Sequence, residues 1–176
     1  RNNNDYRFLD NVISLLNDVD FDNKDMQLDI LFRNFLDISP KLKSSINTTS
    51  PSIRELISEL LKNREIRNLY NPSVGYGSLS LQVASKHKCI SIYGQDINNE
   101  MIRICKMQLI LDKRIEELDN INQGNTIVNP GNIDENGLRK FDCIVCDPPY
   151  GLRDWGYEEI LNYDPYNRFH RGMPSK

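Results

Sequence analysis

The sequence predicts an α/β protein, a parallel, doubly wound sheet preceded by a helical segment. Short strand-like segments alternate with longer amphipathic ones, a pattern typical of βαβ units on a parallel sheet. A glycine-bearing turn, "NPSVGYGS", also follows the first strand-like segment directly. The predicted strands lie in "IRNLY", "KCISIYGQD", "NINQGNTI" and "FDCIVCD", and helices in "LSLQVASKH" and "NNEMIRICKMQLILDK" separate the first three. Only four strands can be counted, so the doubly wound sheet is expected to be truncated after the fourth.

Further helices are predicted where apolar residues recur at spacings of three and four. Two such stretches, "DYRFLDNVISLLNDV" and "KDMQLDILFRNFLDI", predict an N-terminal helical segment at residues 1–46. The next helix is expected to begin at Pro51, with Ser50 as its N-cap. Its apolar face comprises Ile53, Leu56, Ile57 and Leu60. Residues 47–176 then form the second domain, and its tail from Gly151 is expected to be loop.

Composition limits the function classes. The 176 residues are 39% hydrophobic, which fits one domain with a real core and an appended segment. The formal net charge is −3, so any charge that neutralises nucleic-acid phosphates must be local or supplied by a partner. We see no apolar run long enough for a membrane span, and we expect a cytoplasmic protein.

The cysteine pattern gives little sign of a metal or redox site. There are four cysteines, Cys89, Cys105, Cys143 and Cys146. The last two have C-x-x-C spacing, but they lie in a predicted strand, where residues three apart point to opposite faces. No second pair has ligand spacing. We therefore expect reduced, buried, structural cysteines and no metal.

The glycine-bearing turn and an acid after the second strand suggest a nucleotide-type pocket. Gly75 and Gly77 permit a tight turn and a close approach to a ligand. Asp96 follows about 20 residues later, where an acid can bind a ribose diol. Alternatively, the loop is only a tight turn, and Asp96 caps the helix beginning at Asn98. A P-loop lysine is absent, which favours a dinucleotide or S-adenosylmethionine over a nucleoside triphosphate.

The stretch "FDCIVCDPPYGL" is typical of methyl transfer to a planar amino nitrogen. The exocyclic nitrogen of adenine is a poor nucleophile because its lone pair is delocalised. Acceptors at its two N–H groups, Asp147 Oδ and the Pro148 carbonyl, favour pyramidalisation. The prolines hold these acceptors in advance. Tyr150 offers a ring on which an extruded base can stack.

Several motifs together resemble those of gamma-type N6-adenine DNA methyltransferases, and within them the modification subunit of type I restriction–modification systems. The segments that carry this resemblance are "NTTSPSIRELISELL", "YGQDINNEMIRICKMQLIL", "FDCIVCDPPYG" and "NRFHRGMPSK". They cover about residues 47–176. The resemblance implies a Rossmann-like S-adenosylmethionine-dependent methyltransferase fold. Its implied partners are DNA with a flipped adenine, a separate specificity subunit and possibly a restriction subunit.

The resemblance also implies roles for individual residues. The catalytic residues are Asp147, Pro148, Pro149 and Tyr150. The residues that surround S-adenosyl-L-methionine are Thr49, Ser50, Pro51, Asn71, Pro72, Gly75, Gly77, Asp96, Ile97 and Asn125. Among them, Asp96 takes the ribose hydroxyls, Ile97 packs near the adenine, and Asn125 stands where the family usually has an Asp facing that ring.

The sequence departs from the family pattern at the cofactor site. Asn71 and Asn125 each replace a carboxylate, and Tyr76 and Ser78 replace small residues, which predicts weakened cofactor binding. The tail has a local positive bias that suits phosphate contacts, from Arg153, Arg168, His170, Arg171 and Lys176. Two alternatives stay open. One is a methyltransferase acting on RNA or on a protein glutamine, and the other is a truncated, cofactor-poor, non-enzymatic domain.

Overall fold

The computed structural model describes residues 49–87 and 91–173. The predicted N-terminal helical segment at residues 1–46 lies outside this part of the chain. The described residues confirm the α/β prediction. The helices are α1 (Pro51–Leu61), α2 (Ser78–Lys86), α3 (Asn99–Leu111) and α4 (Tyr157–Asn162), with a 3-10 helix at Ile115–Asn120. The strands are β1 (Asn68–Asn71), β2 (Ser91–Asp96), β3 (Ile121–Gln123), β4 (Ile133–Asp134), β5 (Gly137–Leu138) and β6 (Cys143–Ile144).

Four strands form a parallel sheet in the order β3-β2-β1-β6. β1 is central and pairs with β2 from Asn68 opposite Ser91, and with β6 from Leu69 opposite Cys143. The chain moves outward through β2 and β3 and then returns to the other side of β1. This makes β1 and β6 a topological switch point, where α/β sheets open a crevice beyond the carboxyl ends of the strands.

Local sequence accounts for where the helices begin. The Ser50 side chain accepts a hydrogen bond from the Ile53 N–H, and proline follows at the first helical position, as predicted. Asn98 does the same for α3 by accepting from the Glu100 N–H. The predicted alternative that Asp96 caps this helix is therefore wrong, because Asn98 holds that position.

Only one residue of the predicted apolar face of α1, Ile57, is partly buried against the core. Ile53, Leu56 and Leu60 are exposed, whereas Arg54 and Ser58 are buried. Residues of a helix advance by about 100° each, so these two sets lie on different faces. Polar anchors explain the orientation: Arg54 reaches the Tyr76 hydroxyl, and the Ser58 carbonyl lies within hydrogen-bond distance of the buried His87 ring.

The core lies between the sheet and its helices. Its fully buried apolar side chains come from both, and among them are Leu69, Leu81, Val83, Ile92, Cys105 and Leu109. Burial raises the pKa of the Cys105 thiol to about 12, so this cysteine is a small core residue, as predicted. Cys143 is partly buried, but Cys146 is exposed, which corrects the expectation of a buried thiol. β6 ends at Ile144, so Cys146 lies beyond the strand and is not placed on a buried face of the sheet.

Three features were not predicted. β4 and β5 form an antiparallel hairpin whose turn is held by the Asn136 N–H donating to Asp134 Oδ1. The tail, expected to be loop, contains α4. The 3-10 helix positions Glu117, whose carboxylate accepts from the Ile92 N–H and from Arg114. Desolvation raises the pKa of Glu117 against the opposing effect of Arg114.

Among the helices of residues 49–87 and 91–173, none combines the length and the apolar character that a membrane crossing requires.

Candidate active site

The predicted site residues converge at the carboxyl ends of the parallel strands. The glycine loop follows β1, Asp96 ends β2, Asn125 follows β3, and the Asp-Pro-Pro-Tyr segment follows β6. Parallel pairing brings these four strand ends to one edge. The sheet therefore explains how segments that are up to 75 residues apart can form one site.

Asn71 holds the glycine loop from within. Its side chain is buried, accepts from the Ser73 N–H at 3.0 Å and donates to Ser80 Oγ at 3.4 Å. An amide can make both bonds, since it has a donor and an acceptor, whereas a carboxylate has only acceptors. In this chain an asparagine at position 71 can therefore donate to the Ser80 hydroxyl, which an ionised aspartate could not do. Its direct contact with a cofactor stays a prediction.

The two loop glycines face different surroundings. Both have positive φ, +54° at Gly75 and +89° at Gly77. A Cβ on Gly75 would meet nothing within 4 Å, whereas a Cβ on Gly77 would lie 2.8 Å from Cys105 Sγ. Gly75 therefore leaves the space over the loop open, and Gly77 lets the loop pack onto α3.

This difference predicts unequal stability losses. Gly77→Ala is expected to lower the free energy of unfolding by about 1–3 kcal/mol, because it adds a clash to an unfavourable backbone angle. Gly75→Ala, the matched control, carries only the backbone cost of about 1 kcal/mol. Urea denaturation of both variants measures the difference. Equal losses would contradict a packing role for Gly77.

Tyr76 does not crowd the loop as the sequence suggests. Only 4% of the residue is exposed, and its hydroxyl accepts a hydrogen bond from Arg54 at 3.3 Å. The same guanidinium donates to the Thr49 carbonyl at 3.2 Å, and Gln108 of α3 donates to the Tyr76 carbonyl. The large side chain therefore ties the glycine loop to the segment that enters α1.

That entering segment contains the predicted residues Thr49, Ser50 and Pro51. Ser50 Oγ is engaged as the helix cap, and the Thr49 carbonyl is engaged by Arg54. Their predicted contact with the methionine part of a cofactor is untested. The bonds of Arg54 nevertheless place this segment beside the glycine loop.

Asp96 joins the first two strand ends. Its Oδ2 accepts from the Gly75 N–H at 2.9 Å, and its Oδ1 accepts from the Asn98 N–H at 2.8 Å. The residue is only partly buried, so the remaining lone pairs of both oxygens can reach a ligand. Ile97 beside it is 65% exposed, as a residue that packs on a ligand ring would be before binding.

Asn125 and Thr126 organise the loop after β3. Asn125 Oδ1 accepts from the Ile127 N–H at 2.9 Å, and its Nδ2 donates to the Trp155 carbonyl at 3.2 Å. Thr126 Oγ1 donates to the Pro72 carbonyl at 2.9 Å. Sequence analysis missed Thr126, because a hydroxyl that bonds a backbone carbonyl leaves no spacing pattern.

Gln95 is a second residue that sequence analysis missed. It is fully buried, its Nε2 donates to the Asn129 carbonyl at 2.8 Å, and its Oε1 accepts from the Gly131 N–H at 2.8 Å. Its own carbonyl accepts from the Val74 N–H. A buried amide within an apolar strand was the available signal, since such groups need partners.

The Asp-Pro-Pro-Tyr segment leaves the sheet beside the glycine loop. The Val145 N–H donates to the Tyr70 carbonyl at 3.0 Å, and Cys146 Sγ lies 3.3 Å from Ser73 Oγ. Although Cys146 is exposed as a residue, partial desolvation of its thiol raises the pKa, which favours the neutral form that contacts Ser73.

Exposure then increases along the segment. Asp147 is partly buried, Pro148 and Pro149 are exposed, and Tyr150 is 91% exposed. A carboxylate, a carbonyl and an open ring face thus stand at this edge of the sheet. Within the described residues, no cluster of His, Cys, Asp and Glu could hold a metal ion.

The tail residues that were predicted to contact phosphates differ in their exposure to solvent. Arg153, His170 and Arg171 are exposed. Arg168 is instead turned inward, where it pairs with Asp164 and donates to backbone carbonyls of residues 126 and 127. Lys176 lies outside the described residues.

Two curated proteins are similar to more than half of the chain. Release factor glutamine methyltransferase of Fusobacterium nucleatum is 33% identical over 115 residues, covering 62% of this chain and 30% of that protein. The type I restriction enzyme MpnII methylase subunit of Mycoplasma pneumoniae is 32% identical over 130 residues, covering 65% of this chain and 23% of that protein. The chain therefore spans less than a third of the length of either relative.

Solved structures support the fold. The type I restriction-modification system methyltransferase subunit from Streptococcus thermophilus superposes with a TM-score of 0.52 at 20% identity, over 60% of this chain and 23% of that chain. TrmN from Thermus thermophilus superposes with a TM-score of 0.50 at 16% identity, over 68% of this chain and 35% of that chain. These similarities confirm the Rossmann-like methyltransferase fold.

The family assignment rests on a longer match. The family model described as N-6 DNA Methylase matches residues 31–176, far more than half of the chain. A family of DNA methylases agrees with the predicted methyl-donor cofactor, S-adenosylmethionine. With its glycine loop, Asp96 and Asp-Pro-Pro-Tyr segment at one sheet edge, the chain belongs to the N-6 DNA Methylase family.

Proposed function

We propose that this chain is the cofactor-binding and catalytic part of an enzyme that methylates adenine N6 in DNA. One observation carries the proposal. The Asp147–Tyr150 segment leaves β6 directly beside the glycine loop, and the 3.3 Å contact between Cys146 and Ser73 joins the two. Methyl donor and amino acceptor must meet within van der Waals reach for in-line transfer. This juxtaposition supplies such a meeting point.

S-adenosylmethionine, when bound at the glycine loop and Asp96, would supply an activated methyl group: the S–CH3 bond would break, S-adenosylhomocysteine would leave, and the methylated amine would lose one proton to solvent. The chain's own contribution is orientation and charge. Asp147 Oδ and the Pro148 carbonyl accept from the two N–H groups of the target amine and direct its lone pair outward. The Tyr150 ring, open to solvent, stacks on the extruded base and offsets part of its unstacking cost. Asp96 and Ile97 would hold the ribose and adenine of the cofactor.

We propose that the enzyme acts as the modification subunit of a type I restriction–modification system. The similarity to the MpnII methylase subunit supports this assembly. A net charge of −3 also favours a separate specificity subunit that supplies sequence reading and most of the DNA affinity. Arg153, His170 and Arg171 remain available for phosphates near the flipped base.

We further propose that residues 1–46 form a helical segment distinct from the methyltransferase domain at residues 47–176.

A protein-glutamine substrate is the second candidate. The release factor glutamine methyltransferase relative, at 33% identity, favours it. A glutamine side-chain amide is also a planar nitrogen with two N–H groups, so the same acceptors would serve it.

Labelled S-adenosylmethionine distinguishes the two candidates. The full protein with its specificity subunit is incubated with plasmid DNA and, separately, with a release-factor-like protein. The proposal expects label in DNA that is recovered as N6-methyladenine after digestion to nucleosides. Label recovered only from protein glutamine would overturn the DNA assignment, and cofactor binding without transfer to either would indicate a non-enzymatic domain.

A further inference from the structure

The tail beyond the Asp-Pro-Pro-Tyr segment folds back onto the loop after β3, and Arg168 makes the connection. Its Nε donates to Asp164 Oδ1 at 3.1 Å, its Nη1 to the Thr126 carbonyl at 3.0 Å, and its Nη2 to the Ile127 carbonyl. The three nitrogens are thus all engaged within the protein. About 19% of the side chain is exposed.

Asp164 sets the orientation of this arginine. Besides Arg168 Nε, its carboxylate accepts from the backbone N–H groups of Arg168, Phe169 at 3.3 Å and Tyr166 at 3.4 Å. Desolvation would raise the pKa of Asp164, but the bonds from Arg168 and the backbone outweigh it and hold the pKa below its usual value. The ionised Asp164 carboxylate therefore holds the turn at residues 164–169 together and orients the Arg168 guanidinium toward the loop after β3.

The loop that Arg168 reaches is part of the candidate cofactor site. It begins with Asn125, predicted to face the cofactor adenine. Thr126, whose carbonyl accepts from Arg168, uses its hydroxyl to bond the Pro72 carbonyl in the glycine loop. A single residue, Thr126, therefore connects Arg168 to the glycine loop. Arg168 and Thr126 are 42 positions apart in the sequence.

A second attachment joins the same two segments. Asn125 Nδ2 donates to the Trp155 carbonyl, and Gly156 packs against Val128. A Cβ on Gly156 would lie 2.3 Å from Val128 Cγ2, so no side chain fits between them. The chain that leaves Tyr150 is thus docked on the loop after β3 at residues 155–156 and again at Arg168.

We propose that Arg168 is a positioning residue that clamps the loop at residues 125–128 to the tail, so that the adenine end of the cofactor site and the catalytic segment are held as one unit. The inference rests on the proposed function in taking S-adenosylmethionine as the ligand of this site. It replaces the expectation that Arg168 contacts DNA phosphate. A lysine cannot substitute fully, since a single ammonium lacks the planar fork that spans two carbonyls and a carboxylate.

The test compares Arg168→Ala and Arg168→Lys with Arg114→Ala in this 176-residue chain. Arg114 is a matched control, with 20% of its side chain exposed and with ion pairs to Asp112 and Glu117, away from this edge. Calorimetric titration with S-adenosylmethionine is expected to show a Kd raised about tenfold for Arg168→Ala, the value of one lost charge-assisted hydrogen bond. Arg168→Lys should fall in between. Arg114→Ala should lower the melting temperature and leave Kd unchanged.

Trp155 supplies a readout that needs no cofactor. It is the only tryptophan among the 176 residues, and it lies at the second attachment. Arg168→Ala is expected to increase acrylamide quenching of its fluorescence, because the 155–156 turn loosens, while Arg114→Ala leaves quenching unchanged. Asp164→Asn, which keeps the side-chain volume, should act in the same direction if Arg168→Ala does not fold.

The outcomes separate the clamp from the proposed function. A folded Arg168→Ala with wild-type Kd and wild-type quenching overturns the clamp. So does a variant with wild-type Kd whose DNA affinity falls with a reduced salt dependence, because that behaviour marks a phosphate contact. If the wild-type chain binds no S-adenosylmethionine, the proposed function fails, and the quenching comparison still decides whether Arg168 holds the two segments.

Discussion

Replacing Asp147 with alanine is expected to lower methyl transfer by at least about two orders of magnitude, the loss typical of removing one preorganised electrostatic partner. The carboxylate stands at the crevice edge, where it can accept from the target amine. S-adenosylmethionine affinity should change little, since the glycine loop and Asp96 are untouched. Single-turnover methylation in the full protein with its specificity subunit measures the first effect, and calorimetric titration measures the second.

Two further variants sharpen this result. Asp147→Asn keeps one acceptor oxygen and should retain much more activity than Asp147→Ala, because the proposed chemistry requires an acceptor rather than a strong base. Asp154→Ala removes an exposed acid a few residues beyond Tyr150 and should behave like the wild type. Near wild-type methylation by Asp147→Ala would show that the assigned role is wrong. Equal losses in the Asn and Ala variants would point to proton abstraction instead.

Replacing Asp96 with asparagine is expected to weaken S-adenosylmethionine binding by at least about tenfold, as loss of a hydrogen bond to a charged acceptor does. The Asp96 carboxylate accepts from the Gly75 N–H and the Asn98 N–H through different oxygens. An amide offers only one oxygen, so one of these N–H groups would face an NH2 group. Where the Gly75 N–H is the group affected, the glycine loop keeps only its backbone bond to the Gln95 carbonyl of β2, and the ribose acceptor is weakened. Calorimetric titration gives the change in Kd.

Asn98→Ala is the matched control for Asp96→Asn. It removes the N-cap of α3 and should cost about 1 kcal/mol of stability without changing cofactor affinity, since the Asn98 side chain bonds only its own helix and alanine keeps the backbone N–H that donates to Asp96. If Asp96→Asn alters stability as Asn98→Ala does and leaves Kd unchanged, Asp96 is a structural residue rather than a ligand.

Much of the candidate site could be predicted from the sequence because its residues follow strand ends. The alternation of short apolar and longer amphipathic segments predicted the parallel sheet, and parallel strands bring their carboxyl ends together. Gly75, Asp96, Asn125 and Asp147 therefore converge without any need to know their side-chain contacts. The cap at Ser50 was predictable for a similar reason, since it depends on residues only three positions apart.

The hydrogen bonds that connect the loops around the site could not be predicted in this way. Arg168 and Thr126 both donate to backbone carbonyls, and every residue carries such a carbonyl, so the sequence does not mark the partner. Tyr76 appears in the sequence as a bulky residue in a tight loop. Only the packing of α1 shows that its side chain is buried and that its hydroxyl meets Arg54.

The sequence by itself determined the class of fold and the family and predicted the residues for the cofactor and the base, because periodicity and motif spacing are local properties of the chain. The tertiary structure decided which face of α1 is buried, which arginine faces solvent and which loops are tied together. Burial and hydrogen-bond pairing depend on neighbours that are remote in sequence. Arg168 shows the difference: in the sequence it is one of several cations in a polar tail, and in the fold it connects the catalytic segment to the loop at residues 125–128.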